Sequence, residues 1–248
     1  MTNTTKHAIY GLHAVEAAMN NPLRTIHMLY VNQERQDKRI ETLMSKAHAK
    51  HIPLTLLSNQ ALKKQFPEIK HQGIVAILNS TTHSEADLSA LLTSDKPLFI
   101  LILDGITDPH NLGACLRTAD AVGVDVVITP KDNSAPVNAT VSKVACGAAE
   151  TVPVVRVTNL ARTLDTLKAA GVWLYGAAGE ATDSLYEMNF TGRSVAILMG
   201  AEGKGLRRLT KDYCDVLFSI PMHGNVSSLN VSVATGISLY EVIRQHQA

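Results

Sequence analysis

The sequence predicts an α/β protein: a C-terminal domain with a mainly parallel sheet, preceded by a small α/β domain. Three observations carry this. Apolar runs of strand length alternate with segments of helical period along almost the whole 248 residues. Periodicity is lost once, over the polar stretch Asn79–Glu85, which reads as a linker. After it, three glycine-containing loops follow apolar strands and lead into helical segments, the usual location of ligand sites in α/β proteins.

In chain order, Leu12–Met19 reads as a short helix, Ile26–Val31 as a strand and Lys38–Lys50 as a helix. Ile52–Leu57 reads as a strand, Gln60–Phe66 as a helix and Gly73–Leu78 as a strand. These make a compact first domain, 1–79, within the size range of small domains. A linker is placed at 80–95, with a short helix at Asp87–Leu92.

The second domain, 96–248, has strand candidates at Leu98–Leu103, Val124–Thr129, Val152–Val157, Val172–Ala177, Val195–Met199 and Val216–Ile220. Helices are expected at Leu112–Val122, Ala139–Ala148, Leu160–Ala170 and Leu229–His246. Strands separated by helices imply parallel pairing with helices on both faces. There is no internal repeat and no low-complexity tract.

Composition narrows the function classes. With 46% hydrophobic and 18% charged residues, the chain can bury an ordinary core. No run approaches the roughly eighteen apolar residues of a membrane span, and Met1–Lys6 lacks a signal-like apolar region. Cys115, Cys146 and Cys214 are scattered without metal-like spacing, which points to small core residues in a reducing cytoplasm and to no metal. Residues 1–79 hold 10 Lys/Arg against 5 Asp/Glu, and six of the ten histidines. The remainder holds 13 against 17, so a charge of +5 faces one of −4. A basic N-terminal part suits a polyanion such as RNA, or is an ordinary solvated surface.

The densest polar segment is Asp104–Arg117. It joins the strand before it to a helix whose apolar positions Leu112, Cys115, Leu116 and Ala119 end at Gly123, a C-terminal cap. Arg117 follows Gly113 by one turn, which leaves room for a phosphate against its guanidinium. The structural alternative is a surface ion pair with Asp120 or Asp104.

Gly200-Ala201-Glu202-Gly203-Lys204-Gly205 fails the nucleotide-triphosphatase phosphate-loop pattern, because Leu198 stands where its first glycine belongs. It also fails the dinucleotide fingerprint, with Arg208 at the third glycine position. Three glycines in six residues still require a sharp turn or a close ligand approach. In Ile220–Asn230, Ser227 or Ser228 is a candidate N-cap for the last helix, while Ser228 and Asn230 could orient a hydroxyl. Asn111, Arg117, Glu202, Ser228 and Asn230 could thus converge on one site.

Asp108–Arg117, Met199–Gly205 and Ile220–Asn230 with the helix beyond closely resemble, in this order, the SpoU (TrmH-type) branch of the SPOUT superfamily of RNA 2'-O-ribose methyltransferases. No motif position departs from that pattern. The resemblance extends over nearly the whole chain. Tyr10–Ala17 and His71-Gln72-Gly73 look like the N-terminal RNA-binding domain of the bacterial 23S rRNA guanosine 2'-O-methyltransferases, which act on the peptidyl-transferase P loop.

The resemblance implies an α/β-knot fold and S-adenosylmethionine as cofactor, with Gly200, Ile220 and Leu229 lining its pocket. It implies a homodimer, with the closing helix at the interface, acting on 23S rRNA or an assembling large ribosomal subunit. It gives Arg117 a proton-accepting role. An arginine pKa above ~12 favours instead an anchor for phosphate and a stabiliser of the developing alkoxide. Asn111, Ser228 and Asn230 would orient the ribose, and Glu202 would hold Arg117 or take the proton. A tRNA 2'-O-ribose methyltransferase and a non-catalytic RNA-binding or ribosome-assembly protein are the alternatives.

Overall fold

The computed structural model describes residues 6–21, 24–35, 37–67, 71–79 and 83–246. Most of the polar N-terminal stretch and part of the expected linker, residues 80–82, lie outside them. The chain divides into two compact units. One holds the described residues up to 79 together with Val137–Thr151; the other holds 83–136 and 152–246.

The elements of residues 6–79 are β1 (Lys6–Tyr10), α1 (Leu12–Asn20), β2 (Ile26–Asn32), α2 (Lys38–Ala49), β3 (Leu54–Leu57), α3 (Asn59–Gln65) and β4 (Ile74–Asn79). The sheet order is β1-β4-β2-β3, antiparallel except for β2 with β3. Alternation sorts its faces: Ile9, Leu29, Val31, Ile74, Ala76 and Leu78 share one apolar cluster, while Tyr10 and Val75 pack with Leu62 on the other. Asp37 and Ser58 cap α2 and α3 by accepting from the amides of Ile40 and Ala61. Strand β1 was not expected from the sequence, because its short run lacks a clear apolar alternation.

The remaining elements are α4 (Glu85–Leu91), β5 (Phe99–Asp104), α5 (Pro109–Val122), β6 (Val126–Pro130), α6 (Ala139–Val144), α7 (Ala148–Thr151), β7 (Val154–Val157), α8 (Leu160–Ala169), β8 (Trp173–Ala177), β9 (Val195–Gly200), α9 (Arg208–Tyr213), β10 (Val216–Phe218) and α10 (Val231–His246). A 3-10 turn spans Leu185–Glu187. The second sheet runs β10-β8-β9-β5-β6-β7, and every pair is parallel. Strands β5, β6 and β9 are buried at every residue, as a doubly covered parallel sheet requires. Leu160, Leu164 and Leu167 of α8 pack over Ile100, Ile102, Val126 and Ile128. Helix α10 lies against β9 and α5.

Four expectations are corrected. The helix expected over Ala139–Ala148 breaks, because Cys146 and Gly147 take φ of 53° and 101°. Gly147 is needed there: a Cβ would lie 2.9 Å from Ala17 Cβ and 3.1 Å from the His13 carbonyl oxygen. Segment 137–151, which alternation assigns to the second domain, packs instead on β1 and α1 of the first. The strand expected over Val216–Ile220 stops at Phe218, leaving Ile220 in the following loop. Helix α9 was not anticipated, since its six residues are too few to show a period.

Candidate functional site

The site forms where β5 and β9 end. They are neighbours in register, with Asp104 opposite Gly200, so the loops that follow them leave the sheet side by side. Asp108 caps α5 through the amide of His110, Pro109 occupies the first turn, and Gly123 ends the helix in a left-handed conformation, as expected. This start puts Asn111, only 9% exposed, in the first turn of α5.

Asn111 links all three loops. Its Nδ2 donates to Glu202 Oε2 at 3.2 Å, and its Oδ1 accepts from Asn230 Nδ2 at 3.0 Å. Asn230 Oδ1 in turn accepts from the amide and hydroxyl of Ser232, at 2.9 and 2.6 Å. The Asn230 carbonyl accepts from Ala234 N, so Asn230 is the N-cap of α10. That overturns Ser227 or Ser228 as the cap; Ser228 is exposed in the loop before it.

Arg117 is not brought to this relay. Six residues on from Asn111, it projects from another side of α5 and is exposed. Among the described residues it pairs with neither Asp120 nor Glu202, and Asp104 pairs with Arg207 instead.

The 201–207 loop is folded tightly on itself. Gly205 N donates to the Ala201 carbonyl at 2.7 Å, with Gly205 at φ 65°. A Cβ on Gly200 would fall 1.9 Å from Gly205 C and 2.0 Å from Leu206 N, so only glycine lets the chain double back. Its far end is pinned by Asp104, 1% exposed, which accepts from Thr210 Oγ1 at 2.7 Å and Arg207 N at 3.3 Å and pairs with Arg207 Nη2 at 2.5 Å. The roles of Asp104, Arg207 and Thr210 were missed by sequence reasoning. The available signal was a carboxylate ending a wholly apolar strand.

Two cavities flank this loop. One, of about 410 Å³, is lined by Gly200, Ile220, Leu229, Ser228, Glu202 and Phe218 among others. The other, of about 490 Å³, is lined by Asn111, Asp108, Asn133, Lys204, Arg207 and Val231 among others. Glu202 borders both. The three residues expected to bind cofactor thus share the first cavity. Its size suits a small molecule, and its mixture of apolar side chains and glycine backbone suits a nucleoside with polar appendages.

No group of three or more His, Cys, Asp or Glu among the described residues is placed to hold a metal ion. No helix among them is long and apolar enough to cross a membrane. Burial pushes the thiol of Cys115 up to about 11, with the Thr235 hydroxyl opposing, which leaves it a packing residue between α5 and α10.

Residues 98–240 match the SpoU rRNA Methylase family. The chain belongs to the SpoU family. Residues 8–83 match the RNA 2'-O ribose methyltransferase substrate-binding family, and the resemblance read from the three motif segments therefore holds. The 23S rRNA (guanosine-2'-O-)-methyltransferase RlmB of Pectobacterium atrosepticum is 51% identical over 96% of this chain and 97% of its own. That of Shewanella oneidensis is 53% identical over 97% and 98%. The SpoU methyltransferase AviRb of Streptomyces viridochromogenes, solved in complex with the cofactor AdoMet, is 23% identical and superimposes with a TM-score of 0.83, covering 97% of this chain and 90% of its own. It shares the SpoU fold, the α/β class expected from the sequence.

Proposed function

We propose that this SpoU protein transfers a methyl group from S-adenosylmethionine to the ribose 2'-hydroxyl of a guanosine in 23S rRNA, in the peptidyl-transferase P loop. The observation that carries this reading is the Glu202–Asn111–Asn230 relay set between two cavities, in a chain about half identical to curated enzymes of that activity. Gly200, Ile220 and Leu229 would hold the cofactor in the first cavity. There it supplies an electrophilic methyl group on sulfur.

The nucleotide would enter beside Asn111. A hydroxyl attacks poorly until its proton is removed, and the new O–C bond forms as the C–S bond breaks. Glu202 reaches both cavities, and its Oε1 has no hydrogen bond among the described residues while Oε2 accepts from Asn111, so it can take the 2'-hydroxyl proton. Asn111, fixed from both sides, holds that carboxylate in place, and alignment supplies much of the rate. Exposed Ser228 and the amide of Asn230 would orient the ribose. Arg117, exposed and without an ion pair among the described residues, is suited to anchor an RNA phosphate.

Val233 and Tyr240, both half exposed or more and two turns apart on α10, offer an apolar face for a homodimer. Three free cysteines fit a cytoplasmic setting. Domains at 1–79 and 96–248 would divide RNA capture from methyl transfer, with 137–151 lending structure to the first.

Incubation with labelled S-adenosylmethionine and purified 23S rRNA or tRNA tests the activity. Label in 23S rRNA alone is expected, and Arg117→Ala should lose transfer while keeping cofactor affinity. Label confined to tRNA would favour the tRNA alternative. Failure of saturable cofactor uptake would favour a pure RNA-binding protein.

A further inference from the structure

The second cavity holds side-chain groups that the relay leaves unused. Asn133 lines it from the loop after β6, and its carboxamide makes no hydrogen bond among the described residues. Its backbone sits at φ 55°, next to a contact in which Ala135 N donates to the Ile106 carbonyl at 2.8 Å. Asparagine adopts that conformation at modest cost, but nothing in the backbone requires a free carboxamide there. Lys204, on the opposite loop, borders this cavity and the first, with its ammonium unpaired among the described residues. Ile106 and Val231, 3% and 5% exposed, add an apolar wall.

We propose that this cavity is the base subsite of the target nucleotide, that it takes a guanine, and that Asn133 and Lys204 read the guanine edge. The inference rests on the guanosine ribose methylation proposed above. Its volume of about 490 Å³ lies within the range of small-molecule sites, and Glu202 joins it to the cofactor cavity. A nucleotide whose 2'-hydroxyl meets Glu202 must lodge its base within a few ångströms, and this is the adjoining space.

The chemistry of the unused groups selects the base. Guanine offers acceptors at O6 and N7 and donors at N1 and N2. An ammonium matches O6 and N7, and a carboxamide carries a donor and an acceptor together. Adenine would turn its N6 amino group toward the Lys204 ammonium, donor against donor. Asn133 and Lys204 are specificity-determining residues here, outside the Glu202–Asn111–Asn230 relay.

Two measurements on the full chain test this. In the first, guanosine or adenosine monophosphate is titrated into isotope-labelled protein and the Asn133 side-chain amide is followed by NMR. Guanosine monophosphate should shift it and adenosine monophosphate should not. Equal shifts from both, as from phosphate binding alone, or no shift from either, would overturn the proposal whether or not methyl transfer is seen.

In the second, RNA carrying guanosine or adenosine at the mapped position is methylated by wild type, Asn133→Gly and Lys204→Ala. Glycine keeps the positive φ while removing the side chain. Each variant should narrow the guanosine preference in kcat/KM by roughly 5- to 150-fold, the discrimination carried by one matched base contact, with Tm unchanged and, for Asn133→Gly, which stands outside the first cavity, cofactor Kd unchanged as well. A full preference retained by Asn133→Gly would overturn the assignment. A wild type that methylates no RNA would instead refute the activity, and the titration would still decide the subsite.

Discussion

The fold of the 201–207 loop makes Gly200→Ala the sharpest single-atom perturbation. The added Cβ would stand 1.9 Å from Gly205 C, 2.0 Å from Leu206 N and 2.2 Å from Gly205 O. Carbon atoms in contact lie about 3.5–4.0 Å apart, so the loop must retreat by roughly 1.5 Å. It is not free to do so. The Gly205–Ala201 hydrogen bond closes it at one end, and the Asp104 bonds to Arg207 and Thr210 hold the other. Overpacking against backbone costs about 1–3 kcal/mol, and each buried hydrogen bond lost adds about 1 kcal/mol, for a total of about 3–5 kcal/mol. In a chain of this size that lowers Tm by roughly 6–20 °C. The same retreat reshapes the first cavity, proposed above to hold the cofactor, which Gly200, Gly205 and Leu206 all line. Thermal unfolding with and without S-adenosylmethionine, and calorimetric titration of the cofactor, read both effects. Gly203→Ala should be milder: no atom lies within 4 Å of its Cβ, and φ of 74° alone costs about 1–2 kcal/mol. Gly224→Ala, with open space and no positive φ, should cost no more than about 0.5 kcal/mol. A Gly200→Ala protein with wild-type Tm and cofactor affinity would refute the reasoning.

Asp104→Ala should weaken cofactor binding without touching the first cavity, because Thr210 Oγ1 is then left buried without its acceptor; Asp104→Asn, which keeps an acceptor, should lose less. Equal cofactor affinity in all three proteins would contradict the strut. Burial raises the carboxyl pKa of Glu150 above its ordinary 4.5, with Arg24, 2.6 Å away, opposing. The folded state therefore holds the extra proton, and this group's stabilisation is complete below pH 4.5 and declines as pH rises through the folded pKa. Urea unfolding against pH should show that limb in wild type and not in Glu150→Gln; parallel curves would exclude it. At pH 8 iodoacetamide should label exposed Cys146 first, since burial pushes Cys115 up to about 11 and Cys214 up to about 12, the nearby Asp215 adding to the latter. Mass spectrometry reads the order.

The second sheet was legible because its strands are buried on both faces and read as unbroken apolar runs. The site loops were legible because glycines and amides cluster just past those runs. What joined the loops was less visible. The hydrogen bonds that Asn111 donates to Glu202 and accepts from Asn230 connect residues far apart in sequence, and no local period encodes them. Asn230 was read as a ribose contact, whereas its side chain also caps α10. The association of 137–151 with the N-terminal unit depends on the close approach of Gly147 to α1 and on the buried Arg24–Glu150 pair, both long-range. Arg117 shows the limit of spacing arguments, since six residues along a helix turn it away from Asn111.

The most direct test of the proposed activity is the position of the transferred methyl group. Wild-type protein, labelled S-adenosylmethionine and 23S rRNA should yield one labelled, alkali-resistant dinucleotide, because a methylated 2'-hydroxyl cannot cleave its own phosphodiester. Mapping should place it at a guanosine in the peptidyl-transferase P loop. Label on a base, at a nucleotide other than guanosine, or in an alkali-sensitive product would contradict ribose methylation of a 23S rRNA guanosine.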